Sequence, residues 1–193
     1  MNALPPLNIL LEAILSAAQT PLKISDIQTL FDVHEQPTTE DIKEALQVLK
    51  YKLDGRGVEL VEVASGYRIQ VPQQYSQWVS RLYEEKPQRY SRALLETLAL
   101  IAYRQPISRG DIEEIRGVSV SSNIMKTLQE REWIKVLGQR EVPGRPNLYG
   151  TTKQFLDDFN LKQLSELPPL IELEKLDKTV EQMGLSFNAT EEA

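Results

Sequence analysis

Few side chains in this sequence are of types that do chemistry, and they do not converge. His34 is the single histidine in 193 residues. It lies in the polar connection 32–37, with no second ligand or nucleophile near it in sequence. Catalytic and metal roles need convergent groups, so a solvated loop histidine is the plainer reading. There are no cysteines, which excludes disulfides and thiolate metal sites. Adjacent acids occur at Glu84-Glu85 and Glu113-Glu114. Neighbours on a helix point to different sides, so both pairs read as solvated faces, not acid–base couples. Arg109-Gly110-Asp111 spells a cell-adhesion tripeptide, but Ser108-x-x-Asp111 spells a capping box with Asp in the reciprocal place. The cap explains Asp111 more simply. Asp54-Gly55-Arg56-Gly57 follows a helical pattern instead of a strand, the wrong context for a phosphate loop. The residues therefore predict no active site, no cofactor and no metal.

The elements that position these residues follow from periodicity. Asn8 is the expected cap of a first helix with Leu10, Leu11, Ile14, Leu15 and Ala18 on one stripe, closed by Pro21. The apolar run 7–18 contains Glu12 and is too short to span a bilayer. Ser25 is the expected N-cap of a short helix burying Ile27, Leu30 and Phe31. Thr38 or Thr39 caps a longer helix, with Glu40 and Asp41 in the first turn, where the helix dipole favours acids. Residues 58–64 and 67–71 alternate about Ser65-Gly66, as a hairpin does. Residues 74–85 have helical spacing through Tyr75, Val79 and Leu82.

The second half repeats this order. Leu94, Leu95, Leu98, Ile101 and Ala102 make a buried stripe. A helix capped at Ser108 buries Ile112 and Ile115 and exits at Gly117. A third helix starts at Ser121 with Ile124, Met125 and Leu128 inside. Strands over 133–137 and 148–151 flank a Pro143-Gly144-Arg145-Pro146 tip, and Thr152 caps a helix holding Phe155, Leu156 and Phe159. Leu10-Leu11-Glu12 answers Leu94-Leu95-Glu96, Pro21 answers Pro106, and Asp26-Ile27 answers Asp111-Ile112. The pattern predicts a mainly α chain with small β wings (α+β): two tandem winged helices, each a helix-turn-helix plus a β-hairpin. The expected division is 1–85, a linker at 86–90, 91–160, and a tail at 161–193. The tail starts apolar, and Pro168-Pro169 prevents a continuous helix there. It docks either on its own domain or on a partner.

A helix-turn-helix suggests a DNA reader, whose third helix enters the major groove. The charges argue otherwise. The chain carries 22 basic and 28 acidic side chains, net −6. The second reading helix sets Lys126 and Arg131 against Glu130 and Glu132; the first sets Lys43, Lys50 and Lys52 against Glu40, Asp41 and Glu44. Neither gives the positive face that phosphate contacts demand. Only the second wing is basic, with Lys135, Arg140 and Arg145 against Glu141. Arg145 either meets a partner or folds back on Glu141. DNA contact is expected to be weak or indirect, and a winged-helix DNA-binding transcription regulator is the alternative reading.

At LETLALIAYRQPISRGDIEEIRGV, then SSNIMKTLQEREWI, then VPGRPNLYGTTKQFLDDF, the sequence resembles the segregation and condensation protein B family. Leu167-Pro168-Pro169-Leu170 fits the same pattern. The match is dense from Ala93 to Leu170 and co-linear through the first copy. The resemblance implies a homodimer formed mainly through the first domains. It implies binding to the kleisin subunit, segregation and condensation protein A, which bridges the structural-maintenance-of-chromosomes (SMC) ATPase. The implied role is a non-catalytic adaptor in chromosome condensation and partition, in the cytoplasm at the nucleoid. The resemblance fixes no contacts. Side-chain type and position favour Tyr103, Arg104, Arg140, Arg145 and Tyr149 for the kleisin, since aromatic and arginine side chains are typical anchors. Tyr103 and Tyr149 also suit a core position with the hydroxyl at the surface. Leu10, Leu11, Ile14 and Leu15 are the expected dimer residues, because the first helix carries more apolar side chains than one small core needs.

Overall fold

The computed structural model describes residues 5–82 and 90–169. The expected 86–90 linker and the tail from Leu170 onward fall largely outside them. The first copy runs α1 (Leu7–Ala17), α2 (Ile24–Gln28) and α3 (Thr39–Lys52), then the antiparallel hairpin β1 (Glu59–Val63) and β2 (Gly66–Gln70). A short α4 (Ser76–Val79) follows, flanked by 3-10 turns where one longer helix was expected. The second copy runs α5 (Arg92–Arg104), β3 (Ile107–Ser108), α6 (Arg109–Arg116), α7 (Ser122–Glu130), β4 (Ile134–Gln139), β5 (Asn147–Thr151) and α8 (Lys153–Asp158). Each copy is a winged helix.

The helix starts follow from side-chain acceptors. Thr38 Oγ1 accepts from the Asp41 N–H at 3.2 Å, and the Asp41 carboxylate accepts from the Thr38 N–H at 2.9 Å. Ser91, Ser121 and Thr152 each accept an orphan N–H in the first turn of the helix they open. Two expected caps fall elsewhere. Pro6, not Asn8, is the N-cap of α1, and Lys23, not Ser25, that of α2. Gly117 ends α6 with φ 70°, the left-handed turn that glycine adopts without strain.

Buried apolar side chains form two clusters, one per copy. Leu11, Leu15, Ile27, Ile42, Leu46 and Leu49 centre the first. Leu98, Ile101, Ile112, Val120, Leu128 and Phe155 centre the second. Leu30, Leu95 and Ile115, expected inside, are 59%, 45% and 55% exposed. Leu30 lies beyond the end of α2. At the end of α6 the inward place belongs to Arg116, whose guanidinium donates to Thr97 Oγ1 at 3.3 Å and Glu96 Oε2 at 3.0 Å. Phe159 is 42% exposed, although its ring meets Trp133 edge-on at 5.4 Å.

The sheets repeat too. β3 was not expected; it pairs with β5 through Ile107↔Tyr149 and Ser108↔Leu148, giving the order β3-β5-β4. The first copy keeps one rung of the same arrangement: Leu22 and Tyr67 exchange backbone hydrogen bonds at 2.9 and 2.8 Å. Leu22 follows Pro21 as Ile107 follows Pro106. The described start of the tail docks on its own copy, with Leu161 and Leu167 packed on the second core.

Candidate functional site

The outer surface of the second wing is the best candidate, and its base is braced. Asp111 and Ser108 form the reciprocal box of α6, at 3.0 and 3.2 Å. The Asp111 carboxylate also accepts from Arg140 Nη1 at 3.0 Å and Nη2 at 2.6 Å. This bidentate geometry is the strong form of an arginine–carboxylate contact. Arg140, reinforced by the Ser108 hydrogen bonds, holds the Asp111 carboxyl down to about 2. Arg140, a candidate kleisin contact, therefore spends its fork tying the wing to α6, and the adhesion-like tripeptide is consumed as a cap. Arg109 is likewise engaged, with Glu113 at 3.0 Å and Ser122 at 3.3 Å.

Beyond Arg140 the wing is open. Arg145 is exposed at the tip, in left-handed backbone at φ 38°, and its N–H donates to the Val142 carbonyl at 2.9 Å. β4 is the outer strand of its sheet, with a bulge between Val136 and Gly138. Val136 is 43% exposed, Leu137 50% and Val142 43%. The exposed wing is thus apolar as well as basic, a feature that counting charges does not show. Exposed apolar surface beside cations suits an amphipathic protein partner.

The other candidates sort by burial. Tyr149 is half-buried against the second core. Tyr103 is half-exposed, and its hydroxyl donates to the Pro168 carbonyl. Arg104 is exposed at the end of α5. Tyr103 and Arg104 lie on α5, away from the wing tip in sequence. On α1, Leu11 at 0% and Leu15 at 2% exposure belong to the chain's own core. The expectation that they face a second copy is corrected: helical geometry turns them inward, toward α3. Leu10 and Ile14 are half-exposed, and Ile9 is 49% exposed. These three are large outward apolar side chains of α1, beside the exposed Ala13 and Ala17.

On α3 and α7 one lysine each is already engaged. Lys43 pairs with Glu40 at 3.0 Å and Lys126 with Glu130 at 3.5 Å. The shifted acids have structural causes. Glu113 is lowered by the Val120 N–H and Arg109, and Asp41 by its Thr38 cap. His34 is exposed in its loop. Among the described residues, no cluster of three or more His, Cys, Asp or Glu could hold a metal ion. No described helix is long and apolar enough to cross a membrane.

A family model described as segregation and condensation complex subunit ScpB matches residues 9–170. The chain is 57% identical over 176 residues to a segregation and condensation protein B homolog of Coxiella burnetii, spanning 91% of this chain and 84% of that protein. It is 39% identical over 183 residues to segregation and condensation protein B of Syntrophotalea carbinolica, spanning 95% and 91%. It is similar to the solved structure of ScpB from Mycobacterium tuberculosis, at 30% identity over 82% of this chain and 99% of that one, with a TM-score of 0.37.

Proposed function

The chain belongs to the ScpB family of segregation and condensation complex subunits, and from that premise we propose a non-catalytic adaptor of a condensin-like complex. In this reading the chain homodimerises and binds the kleisin subunit, segregation and condensation protein A, which bridges the SMC ATPase. It serves chromosome condensation and partition in the cytoplasm, at the nucleoid. The single observation that carries the reading is the family match over residues 9–170. The charge pattern supports it, since Lys43 of α3 and Lys126 of α7 are paired with glutamates of their own helices.

We assign dimerisation to 1–85, through the outward side of α1 around Leu10 and Ile14. We assign kleisin binding to 91–160, through Arg145 and the exposed apolar side chains of the wing, with Arg104 as a second cation. Arg140 acts there as a positioning residue, holding the wing through Asp111. A partner segment of mixed apolar and acidic character would fit this surface.

The test is size exclusion of the full chain alone, with a kleisin fragment, and with random duplex DNA at physiological salt. A dimer that captures the kleisin and ignores DNA is expected. Arg145→Glu with Val136→Asp is expected to weaken kleisin capture at least tenfold and leave the dimer intact. Unchanged capture would remove the wing assignment, and a DNA shift by the chain alone would favour the transcription-regulator reading.

A further inference from the structure

The hairpin of the first copy reaches into the second. At its turn, the Ser65 N–H donates to Asp157 Oδ1 at 2.9 Å, and the Ala64 N–H donates to the Leu161 carbonyl at 3.0 Å. From β2, Arg68 Nη2 donates to the Asp157 carbonyl at 2.8 Å and to Asn160 Oδ1 at 2.7 Å. Gln70 holds the Arg68 Nε at 3.1 Å. On β1, Glu62 forms an ion pair with Lys162. The pairing shows in both groups. Glu62 is lowered by the hydrogen bonds from Lys162 and Tyr67 against the upward push of burial, and Lys162 is raised by its hydrogen bond to Glu62.

The second copy is shaped to receive these groups. Asp157 is 5% exposed, and a buried carboxylate is costly unless hydrogen-bonded. Its oxygen is met by an N–H of the other copy. Asn160 stands in left-handed backbone at φ 56°, a conformation asparagine tolerates better than most residues. The turn there lets the Leu161 N–H bond to the Leu156 carbonyl at 2.8 Å while the Leu161 carbonyl faces Ala64. The strap that follows is held to the second copy by Leu167 packed against the core and by the Tyr103 hydroxyl on Pro168.

We propose that this seam is a latch that holds the two winged helices in one fixed mutual orientation. Three features make it a joint and not a glancing contact. Two of its donors are backbone N–H groups of a hairpin, which cannot rotate away. Arg68 bridges a backbone carbonyl and a side chain with one nitrogen while its Nε is braced by Gln70. The ion pair sits on the adjacent strand and resists twisting about the other bonds. The latch sets the angle between the outward side of α1 and the second wing. It goes beyond the proposed function, because it holds whichever partners those surfaces bind.

The chain has no cysteine, so two introduced cysteines report distance cleanly. Spin labels go at Tyr51→Cys, where the side chain is 83% exposed, and at Lys126→Cys, where it is 72% exposed. The full chain is diluted with unlabelled chain, so that only distances within one copy register, and measured by pulsed dipolar spectroscopy. The labelled parent is expected to give one narrow distribution. Arg68→Met with Lys162→Glu is expected to widen it at least twofold, with helical circular dichroism unchanged. If that pair loses its fold, Arg68→Lys keeps the charge, loses the bridge, and is expected to widen the distribution to a lesser degree. A broad distribution in the labelled parent, or an unchanged narrow one in a folded variant, overturns the latch.

Discussion

The two winged helices hold the same topology by different means. In the second, α6 opens on a reciprocal side-chain box, Ser108 with Asp111, and Arg140 extends it to the wing. In the first, α2 opens on Lys23. The Asp26 carboxylate accepts from the Lys23 N–H at 3.2 Å, but the ammonium has no acceptor to return. The wings differ likewise. The second has a third strand paired along two residues, and the first has a single rung at Leu22 and Tyr67. The second copy therefore adds a side-chain brace, Arg140 on Asp111, to its strand pairing, and the first relies on its single backbone rung. The second wing's tip stands exposed beyond that brace, while the first hairpin is engaged at the seam.

The largest expected effect breaks this comparison at its glycines. Gly66 has φ 135°, and a Cβ there would lie 2.2 Å from the Leu22 carbonyl oxygen and 2.7 Å from the Lys23 nitrogen. Both are backbone atoms that cannot yield without losing the rung. At Gly150 a Cβ would meet Leu137 Cδ1 at 2.5 Å and Gln105 Oε1 at 2.6 Å, which are side-chain ends. Gly66→Ala is expected to cost about 3 kcal/mol, from overpacking together with backbone strain, and Gly150→Ala about 1–2 kcal/mol. Urea unfolding followed by far-ultraviolet circular dichroism measures both. Equal costs would mean that the first wing is not held by backbone approach.

Much of this was legible in the sequence because it is local. The cap at Thr38, the box at Ser108/Asp111, the exit at Gly117 and the turn at Pro143-Gly144 depend on residues a few positions apart. The inward stripe of α3, and that of α5 apart from Leu95, follow from helical period alone. What was missed is long-range. β3 is two residues long and exists only because β5 lies beside it. The engagement of Arg140 by Asp111, and of Arg68 by Asp157 and Asn160, joins residues whose neighbourhood no period encodes. The fate of Leu11 and Leu15 shows the same limit. The stripe on α1 was read correctly as apolar, but periodicity does not say which side meets the chain's own core and which faces outward.

The next effect is smaller and depends on pH. The Asp111 carboxyl is held down to about 2 in the folded chain, against an ordinary value of 3.8. A depressed acid stabilises the fold above its unfolded pKa and loses that contribution as pH falls through the folded one. Asp111→Asn should therefore be less stable than the parent by a constant amount above about pH 5. That gap should shrink as pH falls below about 4, where the unfolded parent starts to take up the proton. Because the pair is partly exposed, the gap is expected to be less than about 1 kcal/mol. Paired unfolding curves between pH 6 and pH 3 test it. A gap that stays constant to pH 3 would show that Asp111 acts by shape and not by charge.

The smallest effect would sharpen the comparison by erasing it. Lys23 already has the backbone of an N-cap, φ −75° and ψ 159°, beside −91° and 161° for Ser108. Its side chain is exposed, and removing it empties no core. Lys23→Ser would supply a hydroxyl oxygen for the Asp26 N–H, as Ser108 does for Asp111. A gain of about 0.5 kcal/mol is expected, at the low end for a cap because α2 is only five residues long. At this chain length that is a rise of roughly 1–2 °C in Tm. If the gain appears, the weakness of α2 lies in one missing acceptor, and the two copies differ there by chemistry alone. If Tm does not move, α2 is positioned by Ile27 in the core and by the Leu22–Tyr67 rung, and its first turn needs no cap because the sheet already fixes where it starts.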